Sequence, residues 1–396
     1  MLSYRKLAMR VLGRPLNTGG GNNSPRPASQ RAAALVLTAA MLTTFTAPAF
    51  AGTWYIEDGD ITVKAGETKG TNKVSQGANQ EVEDTDTIIT NREEGASSHT
   101  VTIDAKDKDD KVEVTLKDVN IDTSKQSKAA VSVTGSGDTT IELDGDNKLK
   151  SGSAHAGLEH NKTDTSGELT IQDNHKDGGS LKATGGQFGA GIGGAGVNDA
   201  QVKITGGKIT ATGGEFGAGI GGGFKGSGDV TITGGEITAN GGSYGAGIGG
   251  GKGVYLASDK KIHGGDGKVT ITGGELVSNG RTGVYISCYG DPDSIQFTMT
   301  GGKLTHTGGM SGAIQLYKGA TVTIGGAAQI ESTSYAVQVQ ENTILNVEGG
   351  NLSSSGSSAI YCGETSTVNI SGGEIGSTTT STTSGVISAE ENATVN

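Results

Sequence analysis

The stretch VKITGGKITATGGEFGAGIGG (Val202–Gly222) returns twenty-eight residues later as VTITGGEITANGGSYGAGIGG (Val230–Gly250). Its last six residues, GAGIGG, occur three times, starting at Gly189, Gly217 and Gly245. Each copy matches the G-x-G-x-x-G pattern of a dinucleotide loop. Such a loop needs a strand before it, a helix after it and an acidic residue about twenty positions on. Here the second copy runs through Phe224-Lys225-Gly226-Ser227-Gly228 into another β-branched run, and the motif recurs in register. The reading is therefore a structural repeat, not a cofactor site.

Working outward, a double glycine after a short β-branched run starts at Gly206, Gly234, Gly273, Gly301, Gly325, Gly349 and Gly372, with spacings of 28, 39, 28, 24, 24 and 23. The spacing of 39 contains an insertion around Tyr255 to Gly267, which reads as a loop. Each unit holds three alternating stretches. The first carries Val202/Ile204, Val230/Ile232, Val269/Ile271, Phe297/Met299, Val322/Ile324, Leu345/Val347 and Val368/Ile370. The second contributes Ile209, Ile237, Leu276, Leu304, Ile330, Leu352 and Ile375. The third pairs Ala190/Ile192, Ala218/Ile220, Ala246/Ile248, Val284/Ile286, Ile314/Leu316, Val337/Val339 and Ile360/Cys362. Period-two alternation of Val, Ile and Thr is strand chemistry, and Gly-Gly supplies turns that need positive φ. The expectation is an all-β fold: a right-handed, single-stranded parallel β-helix with three short strands per coil of about 23–28 residues and an N-terminal β cap. One narrow apolar column then suffices as core, in keeping with a chain that is only 33% hydrophobic.

The ends set the compartment. Residues 1–51 carry Arg5, Lys6, Arg10, Arg14, Arg26 and Arg31 and no acid, then an apolar run from Ala32 to Phe45, then Ala49-Phe50-Ala51. A basic region, a short apolar region and an A-x-A site read as a signal peptide cut after Ala51, which places the chain outside the cell or at its surface. Beyond it stand 25 Lys and Arg against 42 Asp and Glu, a net charge of −17. Such an acidic surface argues against nucleic acid or anionic lipid as partner, and no later segment reads as a membrane span. Residues 52–110 read as a cap and first irregular coils, and 111–396 as β-helix repeats. Val386 to Asn396 aligns without a gap on Ala359 to Asn369, so the sequence is expected to stop in mid-repeat, with any anchor or further domain lying beyond it.

The run ELDGDNKLKSG (Glu142–Gly152), HAGLE (His155–Glu159) and GELTI (Gly167–Ile171), followed by ITGGKITATGG (Ile204–Gly214) and GAGIGGG (Gly217–Gly223), resembles the secreted bacterial carbohydrate-binding β-helix proteins common in gut Firmicutes. These are related to the pectate-lyase-like right-handed β-helix. The resemblance covers roughly residues 100–396. It implies a non-catalytic polysaccharide-binding or adhesion role and names no binding residue, because the repeats that carry it are scaffold.

The enzyme rival is a polysaccharide lyase, for which the resemblance implies an acidic calcium cluster beside an Arg or Lys base. After Ala51 the chain has only Arg92 and Arg281. Asp291 and Asp293, in CYGDPDS near Arg281, are an incomplete oxygen set for calcium and read as a turn. Asp104, Asp107, Asp109 and Asp110 in DAKDKDD, and Asp144, Asp146 and Asn147 in DGDN, are further weak calcium candidates that read first as solvated turns. No paired carboxylates are visible on adjacent coils, as glycoside hydrolysis would need. Of the six histidines only His155 and His160 approach metal-ligand spacing, and they are not expected to bind zinc. No cofactor is expected, with calcium kept as a candidate ion.

Alternation along the third strand suggests a binding face. With Ala190 and Ile192 inward, one outward column runs Gly191, Gly219, Gly247, Tyr285, Gln315, Gln338, Tyr361, and its neighbour Gly193, Gly221, Gly249, Ser287, Tyr317, Gln340, Gly363. A bare glycine strip thus passes into Tyr285, Gln315, Tyr317, Gln338, Gln340 and Tyr361. Aromatic rings accept the C–H faces of sugars and planar amides their hydroxyls, so a polysaccharide or host or plant glycan is the expected partner of a monomeric chain. The alternative is a polar ladder that only joins neighbouring coils. Phe188, Phe216 and Tyr244 share the inward parity and are expected to stack at the core edge. Cys288 and Cys362 fall on inward positions three coils apart, about 14 Å at 4.8 Å per coil, and are expected to be free buried thiols. A structural stalk that displays another module is the third reading.

Overall fold

The computed structural model describes residues 51–175, 178–252, 254–256, 261–263, 267–279, 282–287, 296–307, 311–379 and 385–396. Arg281, Cys288, Asp291 and Asp293 lie outside the described residues. Among those described there is one helical turn, the 3-10 turn Ile56–Asp58, and no helix long and apolar enough to cross a membrane. The rest is strand and corner.

One coil shows the plan. Ala200–Ile204, Lys208–Thr212 and Ile220–Gly221 form its first, second and third faces. The next coil repeats them as Gly228–Ile232, Glu236–Asn240 and Ile248–Gly249. Pairing between coils is parallel and in register: Val202 on Val230, Ile209 on Ile237, Ile220 on Ile248. The first-face column continues Val230, Val269, Phe297, Val322, Leu345, Val368. The second continues Ile237, Leu276, Leu304, Ile330, Leu352, Ile375. Both columns follow the sequence reading residue for residue. The double glycine between the two faces makes the bend, and its second member takes a left-handed φ, 93° at Gly207 and 97° at Gly235. A residue with a Cβ is strained there.

Apolar side chains from all three faces join one buried core from Trp54 to Val368. Because each coil is thin, a core residue packs chiefly against its counterparts above and below. Truncating one of the large aliphatic ones to Ala costs about 2–5 kcal/mol. Outside the first two faces, side chains satisfy one another between coils: Lys208 pairs with Glu236 at 2.8 Å and Lys303 with Glu331 at 2.9 Å. An asparagine ladder runs from Asn346 to Asn369 at 3.0 Å and on to Asn396 at 2.9 Å. Exposed pairs of this kind add less than about 1 kcal/mol each and mainly hold register.

Two antiparallel devices interrupt the parallel plan. Ile61–Ala65 belongs to the third face and also pairs with Asn72–Gln76, which pairs with Asn79–Asp84, closing the N-terminal end of the core. The insertion expected as a loop is instead a small hairpin, with Val254–Leu256 against Lys261–His263. Three residues on each side form a two-stranded ladder, which spacing alone did not reveal.

Candidate functional site

The third face departs from the expected register. Ile248 stacks on Val284 and Gly249 on Tyr285, so the glycine-rich coils sit two residues out of step with the columns inferred from alternation. The true outer column runs Thr102, Ser132, Glu159, Gly193, Gly221, Gly249, Tyr285, Gln315, Gln338, Tyr361. The cause is local. Ala218 N–H donates to the Gly222 carbonyl at 3.0 Å, so the chain curls back and only Ile220–Gly221 remains strand. Ala190 and Ala218 therefore line a corner and stay buried without occupying a strand position.

Nor is the glycine strip open to solvent. Gly191, Gly219 and Gly247, with Gly193, Gly221 and Gly249, are buried. The corner carrying Phe224 and Lys225 folds over them: Phe224 N–H donates to the Phe188 carbonyl and Lys252 N–H to the Phe216 carbonyl, both at 2.8 Å. A Cβ at Gly221 would lie 2.0 Å from the Gly249 carbonyl oxygen, and its φ is 128°. These glycines permit backbone to lie on backbone.

The aromatic residues preceding each GAGIGG lie outside the core. Phe188 and Phe216 are half-buried, and Tyr244 is 46% exposed. They form a continuous stack, Phe188 to Phe216 at 5.4 Å and 15°, Phe216 to Tyr244 at 5.5 Å and 10°. Phe224 leans on the first two at 5.7 and 5.5 Å. Lys252 Nζ lies 4.2 Å from the Tyr244 ring centre and 5.1 Å from that of Phe216. The 28-residue recurrence marked these rings in the sequence. Parity misplaced them, because they stand in corners where alternation does not apply. No sequence signal marked Lys252.

Where this stack ends, the Tyr and Gln coils begin. A cavity of about 310 Å³ lies between them, lined by Tyr244, Lys252, Thr282, Tyr285, Gln315 and Tyr317 among others. Tyr285 and Tyr317 meet edge to face at 6.1 Å and 62°. Gln315 is 6% exposed and organises the wall. Its Oε1 accepts Thr282 Oγ1–H at 3.0 Å, while its Nε2 donates to Tyr317 Oη at 2.7 Å and Gln338 Oε1 at 3.0 Å. Gln315 thus links its neighbours' hydroxyl and amide groups while itself lining the cavity. Tyr317 stacks on Gln340 in register. Gln338, Gln340 and Tyr361 lie beyond the cavity lining. Tyr361 packs on Tyr335 at 5.3 Å and donates its hydroxyl to Glu390. Burial, then the Glu390 carboxylate beside it, pushes that phenol up to about 12.

The other candidates disperse. Asp104 accepts Thr134 Oγ1–H at 3.3 Å, and Asp107 N–H donates to Asp110 Oδ2 at 2.9 Å within a tight turn that also carries Asp109. Asp144 is paired with Lys117 at 2.6 Å and Asp146 accepts Ser180 Oγ–H at 2.7 Å. Among the described residues no three His, Cys, Asp or Glu side chains gather as a metal cluster. His155 and His160 do not converge. His155 Nδ1 pairs with the buried Glu159 at 2.7 Å, whereas His160 sits in the core between the Val133 and Gly167 carbonyls. Burial holds the His160 pKa below its ordinary value. Arg92 grips Asp58 with both terminal nitrogens, at 2.5 and 2.7 Å, over the Tyr55 ring. Stacked carboxylates do occur, against the sequence reading: Glu236 and Glu275 are register partners. They are exposed on a flat face, with Lys208 bound to Glu236 and Lys303 beside Glu275 in the ladder. Cys362 is a free, fully buried thiol donating to the Ser366 carbonyl at 3.5 Å, and burial raises its pKa.

A β-helix repeat family matches the chain at residues 177–196, 202–224 and 230–252, the coils that carry the glycine strip and the aromatic stack. No curated protein and no solved structure matches the chain significantly. The parallel register of three strands per coil and this repeat agree: the chain is a right-handed parallel β-helix protein.

Proposed function

We propose that the chain is an exported, non-catalytic carbohydrate-binding protein of a bacterial surface, acting as a monomer on a polysaccharide through the third face of the helix. The observation that carries this reading is the cavity of about 310 Å³ in which the rings of Tyr244, Tyr285 and Tyr317 meet the Lys252 ammonium. Rings offer faces to sugar C–H groups, and the Thr282–Gln315–Tyr317 network offers oriented hydroxyls to sugar oxygens. The signal-peptide pattern over 1–51 supports export, and the net charge of −17 beyond it disfavours nucleic acid.

A glycan array probed with residues 52–396, with and without calcium and watched for product release, tests the reading. Binding to one glycan class is expected. On that glycan Tyr285→Ala and Tyr317→Ala should each weaken affinity about tenfold, or 1.4 kcal/mol, while Tyr361→Phe leaves it unchanged. Turnover would replace the reading with a polysaccharide lyase, and silence on every glycan with a structural stalk.

A further inference from the structure

Asp84 ends the strand Asn79–Asp84 in the N-terminal cap and is 1% exposed. Its Oδ1 accepts the Gly52 N–H at 2.9 Å and the Asp86 N–H at 3.1 Å, and its Oδ2 accepts the Trp54 indole N–H at 2.6 Å. No ion pair to a described Lys, Arg or His joins this carboxylate. Three N–H donors reach this buried carboxylate, and none of them carries a charge. Gly52 is fixed in the pocket by more than its N–H contact. Its carbonyl accepts the Ile88 N–H at 3.0 Å, so the residue is held on both sides. A Cβ on it would lie 2.6 Å from Asp84 Oδ2 and 2.7 Å from Trp54 Nε1, so a side chain there would push the carboxylate or the indole aside. The residues just before it are Ala49-Phe50-Ala51, the small-x-small pattern of a signal-peptidase site.

We propose that Asp84 is the binding site for the terminal ammonium of the processed chain, and that cleavage before Gly52 supplies the missing cation. A signal peptidase adds water across the Ala51–Gly52 amide: the C–N bond breaks, a C–O bond forms, and Ala51 leaves with the carboxylate. The Gly52 nitrogen, now an amine, takes up a proton at neutral pH. An uncharged N–H donor thereby becomes a full positive charge against Asp84 Oδ1, and charge-assisted hydrogen bonds are about twice as strong as neutral ones. The cap strand carrying Asp84 and the first strand, Thr53–Tyr55, already joined by the Trp54 indole N–H, are then held by a full ion pair only in the exported chain. This rests on the export reading above.

Trp54 is the only tryptophan of the chain and itself donates to Asp84, so its fluorescence reports on this latch directly. The test compares residues 52–396 with a free terminal amine, the same chain acetylated, and a chain starting at Ala51, each with and without Asp84→Asn. The urea midpoint followed at Trp54 should be highest for the free amine and fall on acetylation or extension. With Asp84→Asn that difference should vanish. The Gly52 amine should also react with an amine reagent about tenfold more slowly in the folded than in the unfolded wild-type chain, the effect of one pKa unit. This second reading stands even where Asp84→Asn does not fold. Equal midpoints for free and acetylated chains, or equal labelling rates, would overturn the proposal. Terminal sequencing of the exported protein separates the two readings: a start other than Gly52 removes the cleavage site and the proposal with it. A start at Gly52 with no effect of the amine removes the proposal alone.

Discussion

The coils over 189–252 and those over 282–362 share the same inner columns yet cover the outside of the third face in opposite ways. In the first group the strand shrinks to two residues, glycines let backbone lie on backbone, and the aromatic side chains come from the preceding corners. In the second the strand reaches four residues, as in Ile314–Tyr317 and Val337–Gln340, and carries its own Tyr and Gln outward. The cavity forms where one manner of covering gives way to the other, at Tyr244 and Tyr285. A regular solenoid has no natural recess, and a change of outer layer between successive coils creates one.

That contrast breaks most sharply in the shared column. Gly221→Leu should destabilise the chain by about 3 kcal/mol, since it adds a side chain at left-handed φ against the Gly249 carbonyl. The same change at the half-buried, register-equivalent Gln338 should cost only about 1 kcal/mol, since it removes one hydrogen bond, the one accepted from Gln315, and meets no backbone clash. Chemical unfolding of the two variants measures the difference, and equal costs would mean the glycines are not packed as described. A smaller effect is expected inside the Tyr and Gln coils. Gln315→Leu leaves the Thr282 and Tyr317 hydroxyls and the Gln338 amide without their shared partner, a loss of about 1–3 kcal/mol that thermal unfolding would detect. Glycan affinity should fall with it, because the wall of the cavity loses its orientation.

The smallest effect lies one coil before the glycine-rich group, at His160. Burial lowers its pKa in the folded chain below the value near 6.5 of the unfolded one, so the folded state binds fewer protons. The neutral ring's contribution is complete above about pH 6.5 and is lost as pH falls toward the lower folded value. Unfolding midpoints at pH 7.5 and 5.5 should therefore differ in favour of the higher pH, and His160→Gln should shrink the gap.

The first two faces were legible to the residue, since a double glycine fixes where each strand starts and Val, Ile and Leu alternate without competition. The third face was not. GAGIGG offers five small residues to a single isoleucine, and nothing in it tells a strand from a corner; the Ala246–Gly250 hydrogen bond and the pairing of Ile248 with Val284 bring Gly249 beside Tyr285. Tyr285 and Tyr317 fall in the register that alternation gave them because they sit on true strands, where period two holds. Phe216, Tyr244 and Lys252 come together through corners from successive coils, and their meeting depends on a backbone path that alternation cannot trace. The Asp84 pocket left no pattern at all, since two of its donors, from Gly52 and Trp54, come from 32 and 30 residues away in the chain.

The near identity of the coils starting at Val202 and Val230 gives the molecule an adjustable length. Because Val202, Ile209 and Ile220 lie directly beneath Val230, Ile237 and Ile248, the chain can lose or gain twenty-eight residues there without leaving an unmatched layer. Each such event moves the cavity by roughly 4.8 Å relative to the N-terminal cap. Copy number in the gene would then set how far the cavity stands from the N-terminal cap, a trait open to recombination between the repeats and independent of any change in the residues that line it.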